Sequence, residues 1–342
     1  MARQVHLVGS VGLDTVGDVF ATCGSLLGPY LKRVPDGEPG GRRLWISWQF
    51  AVLRANPYLQ PDTSQHRSGG IGFHPMKLAE GIKPEEVSFG ELGYAREARA
   101  SYLDFVAARN KGILPKGARF QVSLPTPFAV IGPFCVPEAR QTVLRAYEQA
   151  MLREVAAICE NIPHQDLAIQ WDVCIEMVIW DGGYQGIPSF PGMDKVFSES
   201  FARLASAVPA DVELGFHLCY GDLDAAHFVE PRDATKMVEL AHLMRDSAKR
   251  PLQWIHMPVP IGRSDDAFFA PLRDLALRAG TELYLGLVHA ADGLDGTRRR
   301  MAAASQYVKD YGIASECGIA RARRPELVRQ ILQTHADAAR TG

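Results

Sequence analysis

Residues 166–174 read Asp-Leu-Ala-Ile-Gln-Trp-Asp-Val-Cys, and residues 212–219 read Val-Glu-Leu-Gly-Phe-His-Leu-Cys. Each is a short, mostly apolar run of strand length, and between them Val196–Ala207 shows the apolar spacing of a helix. Strand–helix–strand alternation of this kind argues a parallel sheet. The pattern continues in both directions. Strands are expected at Val5–Ser10, Leu31–Pro35 and Ala118–Leu124 on one side, and at Leu252–Met257, Leu283–His289 and Gly312–Cys317 on the other. Helices are expected at Gly17–Gly28, Glu138–Glu160, Ala234–Ala248, Ala267–Ala279, Thr297–Tyr311 and Pro325–Ala339. In Glu138–Glu160 the apolar positions Val143, Leu144, Tyr147, Met151, Val155, Ala156 and Cys159 follow the 3.6-residue period. Eight such units predict an α/β fold, a single (β/α)8 TIM barrel over residues 1–342. An open doubly wound sheet is the alternative, but no GxGxxG follows the first strand; Gly9-Ser10-Val11-Gly12 is too sparse. Residues 50–115 read as a long insertion after the second strand, with Asn56-Pro57, Ser68-Gly69-Gly70, His74-Pro75 and a helical Tyr94–Asn110. A long barrel loop of this kind is expected to be a lid or a homodimer contact.

Composition narrows the function. The 342 residues hold 37 Lys+Arg against 39 Asp+Glu, a net charge of −2, which lacks the basic footprint of a nucleic-acid binder. The N-terminal apolar stretch is too short for a signal sequence, and no run approaches the roughly 18 uninterrupted apolar residues of a membrane helix. A cytoplasmic location is therefore expected. The six cysteines (Cys23, Cys135, Cys159, Cys174, Cys219, Cys317) are then thiols or metal ligands, and they include no CxxC pair.

The chemistry-bearing residues fall at expected strand ends. His217 and Cys219 flank Leu218, so alternation turns them to one side, and both are zinc-ligand types. Cys317 ends the eighth strand and His256 lies near the end of the sixth, which makes His217, Cys219, His256 and Cys317 a candidate metal set at the barrel mouth. A packed cysteine beside a hydrogen-bonded histidine is the structural alternative. Gln170, Asp172, Cys174 and Glu176 share one face of their strand. A buried inward carboxylate is costly unless used, so Asp172 and Glu176 are candidates for binding an amine or moving a proton, or else for an internal salt bridge. His289, at the end of the seventh strand, suits proton transfer near neutral pH. Pro35–Arg43 packs two acids, two bases and three glycines into nine residues, as a substrate loop or a solvated turn.

These motifs occur in an order that resembles the catalytic C-terminal barrel of cobalamin-independent methionine synthase, within the uroporphyrinogen decarboxylase/methionine synthase-like superfamily. Val8-Gly9-Ser10 resembles that family's Ile-Gly-Ser, Asp36-Gly37-Glu38 its His-Gly-Glu, and Gln170-Trp171-Asp172 its Gln-Ile-Asp-Glu-Pro. His217-Leu218-Cys219-Tyr220-Gly221 resembles its His-Met-Cys-Tyr, and Glu316-Cys317-Gly318 its Asp-Cys-Gly. The resemblance implies a zinc cofactor at His217, Cys219 and Cys317, and substrate contacts from Gly9, Ser10, Glu38 and Tyr220. It implies a methyl- or alkyltransferase: zinc holds a small thiol as a thiolate, although a free thiol has a pKa of about 8.5, and the thiolate attacks an alkyl donor.

This chain departs from the pattern in specific places. The family's glutamate ligand follows an Ile, and here Ile255 is followed by His256; a two-His, two-Cys site is expected. Val173 stands where the family has the Glu of Asp-Glu-Pro, leaving Glu176 as the nearby carboxylate. Val8-Gly9-Ser10-Val11-Gly12 replaces Ile-Gly-Ser-Phe-Pro. One barrel's length leaves no room for the folate-holding second barrel, so a corrinoid or its carrier protein, another small donor or an epoxide is expected to supply the alkyl group. Two other readings stand beside this one. The barrel could run lyase or demethylase chemistry, or metal-free decarboxylation using Arg42, Arg43, Arg263, Arg321, Arg323 and Arg324. It could also be a non-catalytic zinc-binding scaffold.

Overall fold

Leu167–Val173 is buried at every one of its seven positions, the mark of a parallel strand covered on both faces. It is β5 of a computed structural model that describes residues 2–64, 73–184, 187–222, 226–321 and 323–341. The Ser68-Gly69-Gly70 part of the expected insertion lies outside the described residues. In chain order the strands are β1 (Arg33–Pro35), β2 (Leu59–Pro61), β3 (Met76–Leu78), β4 (Arg119–Pro125), β5, β6 (Gly183–Tyr184), β7 (Ile187–Pro188), β8 (Glu213–Leu218), β9 (Trp254–Pro258), β10 (Glu282–Val288) and β11 (Gly312–Ser315). Seven form one parallel sheet in the order β1-β4-β5-β8-β9-β10-β11, while β2–β3 and β6–β7 are small antiparallel pairs.

The expected first strand, Val5–Ser10, is not continuous. It touches both edges of the sheet only through isolated parallel bridges: Val5 to Leu31 and to Ile313, Ser10 to Gly37, and Val11 to Ile319. The reason lies in its middle. Gln121 Nε2 donates to the Leu7 carbonyl (2.9 Å), Ser123 Oγ to the Val8 carbonyl (3.0 Å), and the Gln170 amide also to Val8. Side chains from β4 and β5 thus take carbonyls that a continuous ladder would use.

Most other elements form within a few residues of expectation, among them the helices Val16–Leu27, Tyr94–Asn110, Pro137–Asn161, Met193–Ser206, Thr235–Ser247 and Pro325–Thr341, while the helix expected at Thr297–Tyr311 runs earlier, over Gly293–Ala304. The expected helix Ala267–Ala279 shrinks to Asp266–Phe269 and a 3-10 turn, Ala270–Asp274. Pro271 lacks a backbone N–H, and beyond it the Ala276 amide donates to His242 instead of to a helical carbonyl (3.0 Å). Residues 50–115 contain Gln49–Ala55 (from its second residue), the β2–β3 pair, a turn at Pro84–Glu86 and Tyr94–Asn110.

Alternation along the strands splits the burial in two. Leu167, Ile169, Trp171 and Val173 join the main core against the helices, while Ala168 packs inward with Trp254 and Tyr284. Gly215 is what admits the Trp254 indole: a Cβ there would lie 2.0 Å from the ring. The register sets Asp172 beside His217 and His217 beside His256, which delivers polar side chains to one interior level near the strand C-termini.

Candidate metal centre

His217 is the fifth residue of β8, and Cys219 follows its end, held by donation from its amide to the Val173 carbonyl of β5 (3.0 Å). Cys317 sits two residues past β11, where Ser315 Oγ donates to its carbonyl (2.7 Å). One ligand atom from each of His217, Cys219 and Cys317 lies within 4.8 Å of the others, and all three residues are buried. The two sulfurs are 3.5 Å apart.

The state of the His217 ring follows from its neighbours. His256 Nε2 lies 3.0 Å from the Ser315 carbonyl, which can only accept, so that nitrogen carries the proton. Neutral His256 then has a bare Nδ1, 2.7 Å from His217 Nδ1, and His217 must donate there. Burial, the largest influence on both rings, and their mutual repulsion hold His217 well below the usual histidine range; His256 is driven down to about 3. His217 Nε2 is therefore an unprotonated lone pair, buried, with no hydrogen-bond partner among the described residues. Leaving it so costs about 1–3 kcal/mol. The fourth expected ligand is placed differently: His256 stands outside the three-residue group with both nitrogens engaged, and it fixes the tautomer of His217.

The thiols complete the set. Contact with Cys174 and burial push Cys219 well above the usual thiol range, and contact with Cys219 and burial do the same for Cys317. Without a cation both stay protonated. Yet donors are aimed at the sulfurs: Arg321 Nη2 at Cys317 (3.2 Å) and the Gly221 amide at Cys219 (3.3 Å). Arg321 is itself held on Asp222, which Arg323 also grips at 3.1 Å. A lone pair on imidazole, two adjacent thiols and flanking positive dipoles fit a soft-to-borderline ion such as zinc.

A carboxylate-rich wall adjoins this group. Asp172 accepts from Gln170 Nε2 (2.8 Å) and Trp45 Nε1 (3.2 Å), and burial raises it to about 7. Burial and the neighbouring Asp172 push Glu38 up to about 8. Glu38 lines a cleft with Gly9, Asp36, Trp45, Trp48 and Tyr94. Glu38 (φ 52°) and Trp45 (φ 53°) are the non-glycine residues with positive φ among those described, at about 1–3 kcal/mol of strain each. Trp45 joins the two regions, packing its ring against the cysteines while bonding Asp172. Ser10 meets the backbone after Cys317 so closely that a Cβ on Gly318 would lie 2.1 Å from its Oγ.

The remaining expected residues disperse. Glu176 is wholly buried, and neither carboxylate oxygen meets hydrogen-bond geometry; burial raises it to about 7, opposed by the neighbouring Thr126 hydroxyl. Tyr220 turns its hydroxyl to Asp181 (2.7 Å). His289 donates from Nε2 to the Val259 carbonyl (2.8 Å) and sets Nδ1 3.5 Å from Glu316, so its polar contacts are not with the His/Cys group. Glu316 also binds His227 Nε2 (3.0 Å); burial disfavours charge on His227, but Glu316 and Glu230 outweigh it and raise it to about 9. The sequence put Cys174 on the inward face without joining it to Cys219, gave Trp45 and His227 no role, and offered Arg321 only as a binder of carboxylates. Adjacency of 173 to 219 across two parallel strands is a tertiary fact, and only the i+4 spacing of Arg321 from Cys317 was visible in the chain.

No known protein-family profile matches the chain, and no curated protein matches it. Solved structures do. A Listeria monocytogenes protein provisionally assigned as a vitamin-B12-independent methionine synthase superposes with a TM-score of 0.59 at 13% identity, covering 98% of this chain and 96% of its own. A B12-independent methionine synthase from Shewanella sp. W3-18-1, solved with selenomethionine, gives 0.51 at 13%, covering 83% and 76%. A methyltransferase from Methanosarcina mazei gives 0.52 at 11%, covering 97% and 94%. The chain shares their fold.

Proposed function

We propose that this chain is a zinc-dependent methyl- or alkyltransferase acting on a small thiol. The observation that carries the reading is buried His217, whose Nε2 is unprotonated and unpartnered among the described residues and whose ring brings a nitrogen within 4.8 Å of two adjacent thiols. His217, Cys219 and Cys317 would hold the ion. When bound there, zinc supplies the Lewis acidity that makes a thiol an anionic nucleophile near neutral pH. The protein's own residues do the rest. His256 keeps the His217 lone pair forward, and Arg321 and the Gly221 amide stabilise negative charge on the cysteine sulfurs. Glu38, on the cleft wall with Gly9, and Asp172, bonded to Trp45 of that wall, bind the polar end of the substrate, and Ser10 packs against Gly318 beside Cys317. Glu176 and His289 serve proton transfer at the mouth, and Tyr220 contacts substrate through its ring.

The same reading makes the fold a (β/α)8 barrel in which residues 5–11 are the eighth stave, supported by their bridges to both edges of the sheet. It makes 50–115 a lid or homodimer contact. The alkyl donor is a small molecule or a corrinoid, free or on a carrier protein, with no nucleic acid or membrane involved. No described helix is long and apolar enough to cross a membrane. A cytoplasmic setting suits six free cysteines, three of them packed together. Metal-free decarboxylation loses support because most of its arginines are already paired: Arg42 with Asp36, Arg263 with Asp265, and Arg321 and Arg323 with Asp222.

The test incubates zinc-loaded protein with small thiols and, in turn, methylcobalamin, a methylated folate, a sulfonium and an epoxide, following loss of free thiol. Thiol alkylation that stops on chelation and returns with zinc is expected. Alkylation that is the same with and without metal, or absent with every donor, contradicts the proposal.

A further inference from the structure

The site contains one more thiol than the three-donor group uses. Cys174 follows β5 directly and is fully buried. The Cys219–Val173 backbone bond ties the ends of β5 and β8 together (3.0 Å), so Cys174 and Cys219 lie side by side. Cys174, Cys219 and Cys317 pack as one cluster, with Trp45 and Phe228 against it. A single buried cysteine is an ordinary small hydrophobe. Three in one cluster, with Cys219 between Cys174 and Cys317, next to a histidine with an unpartnered ring nitrogen, are a Cys3His donor composition, one of the recurring tetrahedral zinc sets.

The three thiols are not equivalent. The sulfur of Cys317 receives Arg321 and that of Cys219 receives the Gly221 amide, so both have donors that stabilise an anion. Among the described residues no N–H or guanidinium is directed at Cys174. The group with all ligand atoms within 4.8 Å also excludes it, so it is the loosest of the four.

We infer that Cys174 is a fourth protein donor to the metal, completing a His217/Cys174/Cys219/Cys317 set, and that it is the donor that yields its place to the substrate thiol. This rests on the zinc reading above. The exchange balances: the incoming thiol arrives with its proton and takes up the coordinating position as thiolate, and the departing Cys174 sulfur receives that proton and leaves as a neutral thiol. The net charge of the site is unchanged, which suits a sulfur without a charged partner.

X-ray absorption on the zinc-loaded full chain reads the sulfur count without any variant. Three sulfurs are expected for the native protein and two for both Cys174→Ser and Cys174→Ala, with the cobalt-substituted variants losing a third of the thiolate charge-transfer absorbance. With 2-mercaptoethanol as the probe thiol, the native count stays at three while Cys174 goes from protected to alkylated by iodoacetamide, read by mass spectrometry. Two sulfurs in the native protein, or cobalt spectra unchanged in both variants, overturns the ligand assignment and leaves the zinc reading standing. Cys174 still protected when the probe thiol is bound overturns the exchange. A chain that takes up no metal overturns both this inference and the reading it rests on.

Discussion

The two ends of the parallel sheet treat buried charge in opposite ways. At the N-terminal end, Arg33, Arg119, Glu213 and Glu282 are each the first residue of a strand, and they satisfy one another. Arg33 bonds Glu213 at 2.5 Å and Glu282 at 2.8 Å, Arg119 bonds Glu213 at 3.1 Å, and Lys32 joins Glu282. The Arg33 guanidinium also lies 4.2 Å over the Trp254 ring. At the C-terminal end, His217 Nε2 and both Glu176 carboxylate oxygens meet no hydrogen-bond geometry among the described residues, Asp172 and Glu38 are held far above the carboxylate range, and two residues carry strained backbones. Both ends spend free energy to desolvate polar groups. Only the first recovers it internally, and so the second is where a ligand has something to gain.

The contrast can be broken from the closed end first. Arg33→Met removes the buried cation shared by Glu213 and Glu282, which keep only Arg119 and Lys32, and should destabilise the metal-free chain by about 3 kcal/mol. Urea unfolding measures this. Metal uptake by the variant should match the native chain; a loss of metal with it would mean the two ends are not separable.

His256→Leu acts at the open end, with a smaller effect. The ligands remain but the His217 tautomer is no longer fixed, so zinc affinity should fall about 10–100-fold at unchanged stoichiometry. Competition with a chromophoric chelator reads it, and unaltered affinity would remove His256 from the account.

Glu176→Gln has the smallest effect. The native carboxyl titrates at about 7, against about 4.3 for an exposed glutamate. A folded-state pKa raised in this direction gives stability that is present below about pH 4.3 and lost as pH rises through 7. The glutamine variant should therefore lose about 2 kcal/mol less between pH 5 and pH 8. Identical pH profiles would show that Glu176 is solvated or paired.

Much of this was legible in the sequence, for reasons that particular residues make plain. The alternation that turns His217 and Cys219 to one side is a local property of strands, and the sheet order brings Cys317 to the same place. The β5 and β8 runs were recognisable because they are buried on both faces. The first strand misled because interior amides from Gln121 and Gln170 compete for its carbonyls, which no window of sequence contains. Cys174 was placed on the inward face of its strand but not beside Cys219, because that neighbour lies on another strand. His256 was read as a ligand because residue type does not reveal that both its nitrogens are taken, by Ser315 and by His217.

The most direct test of the central claim is the zinc content of the purified chain after metal-replete expression, set beside Cys219→Ser. The account predicts about one zinc per native chain and a small fraction of that in the variant. Zinc far below one per native chain, or a content that Cys219→Ser leaves unchanged, would contradict it.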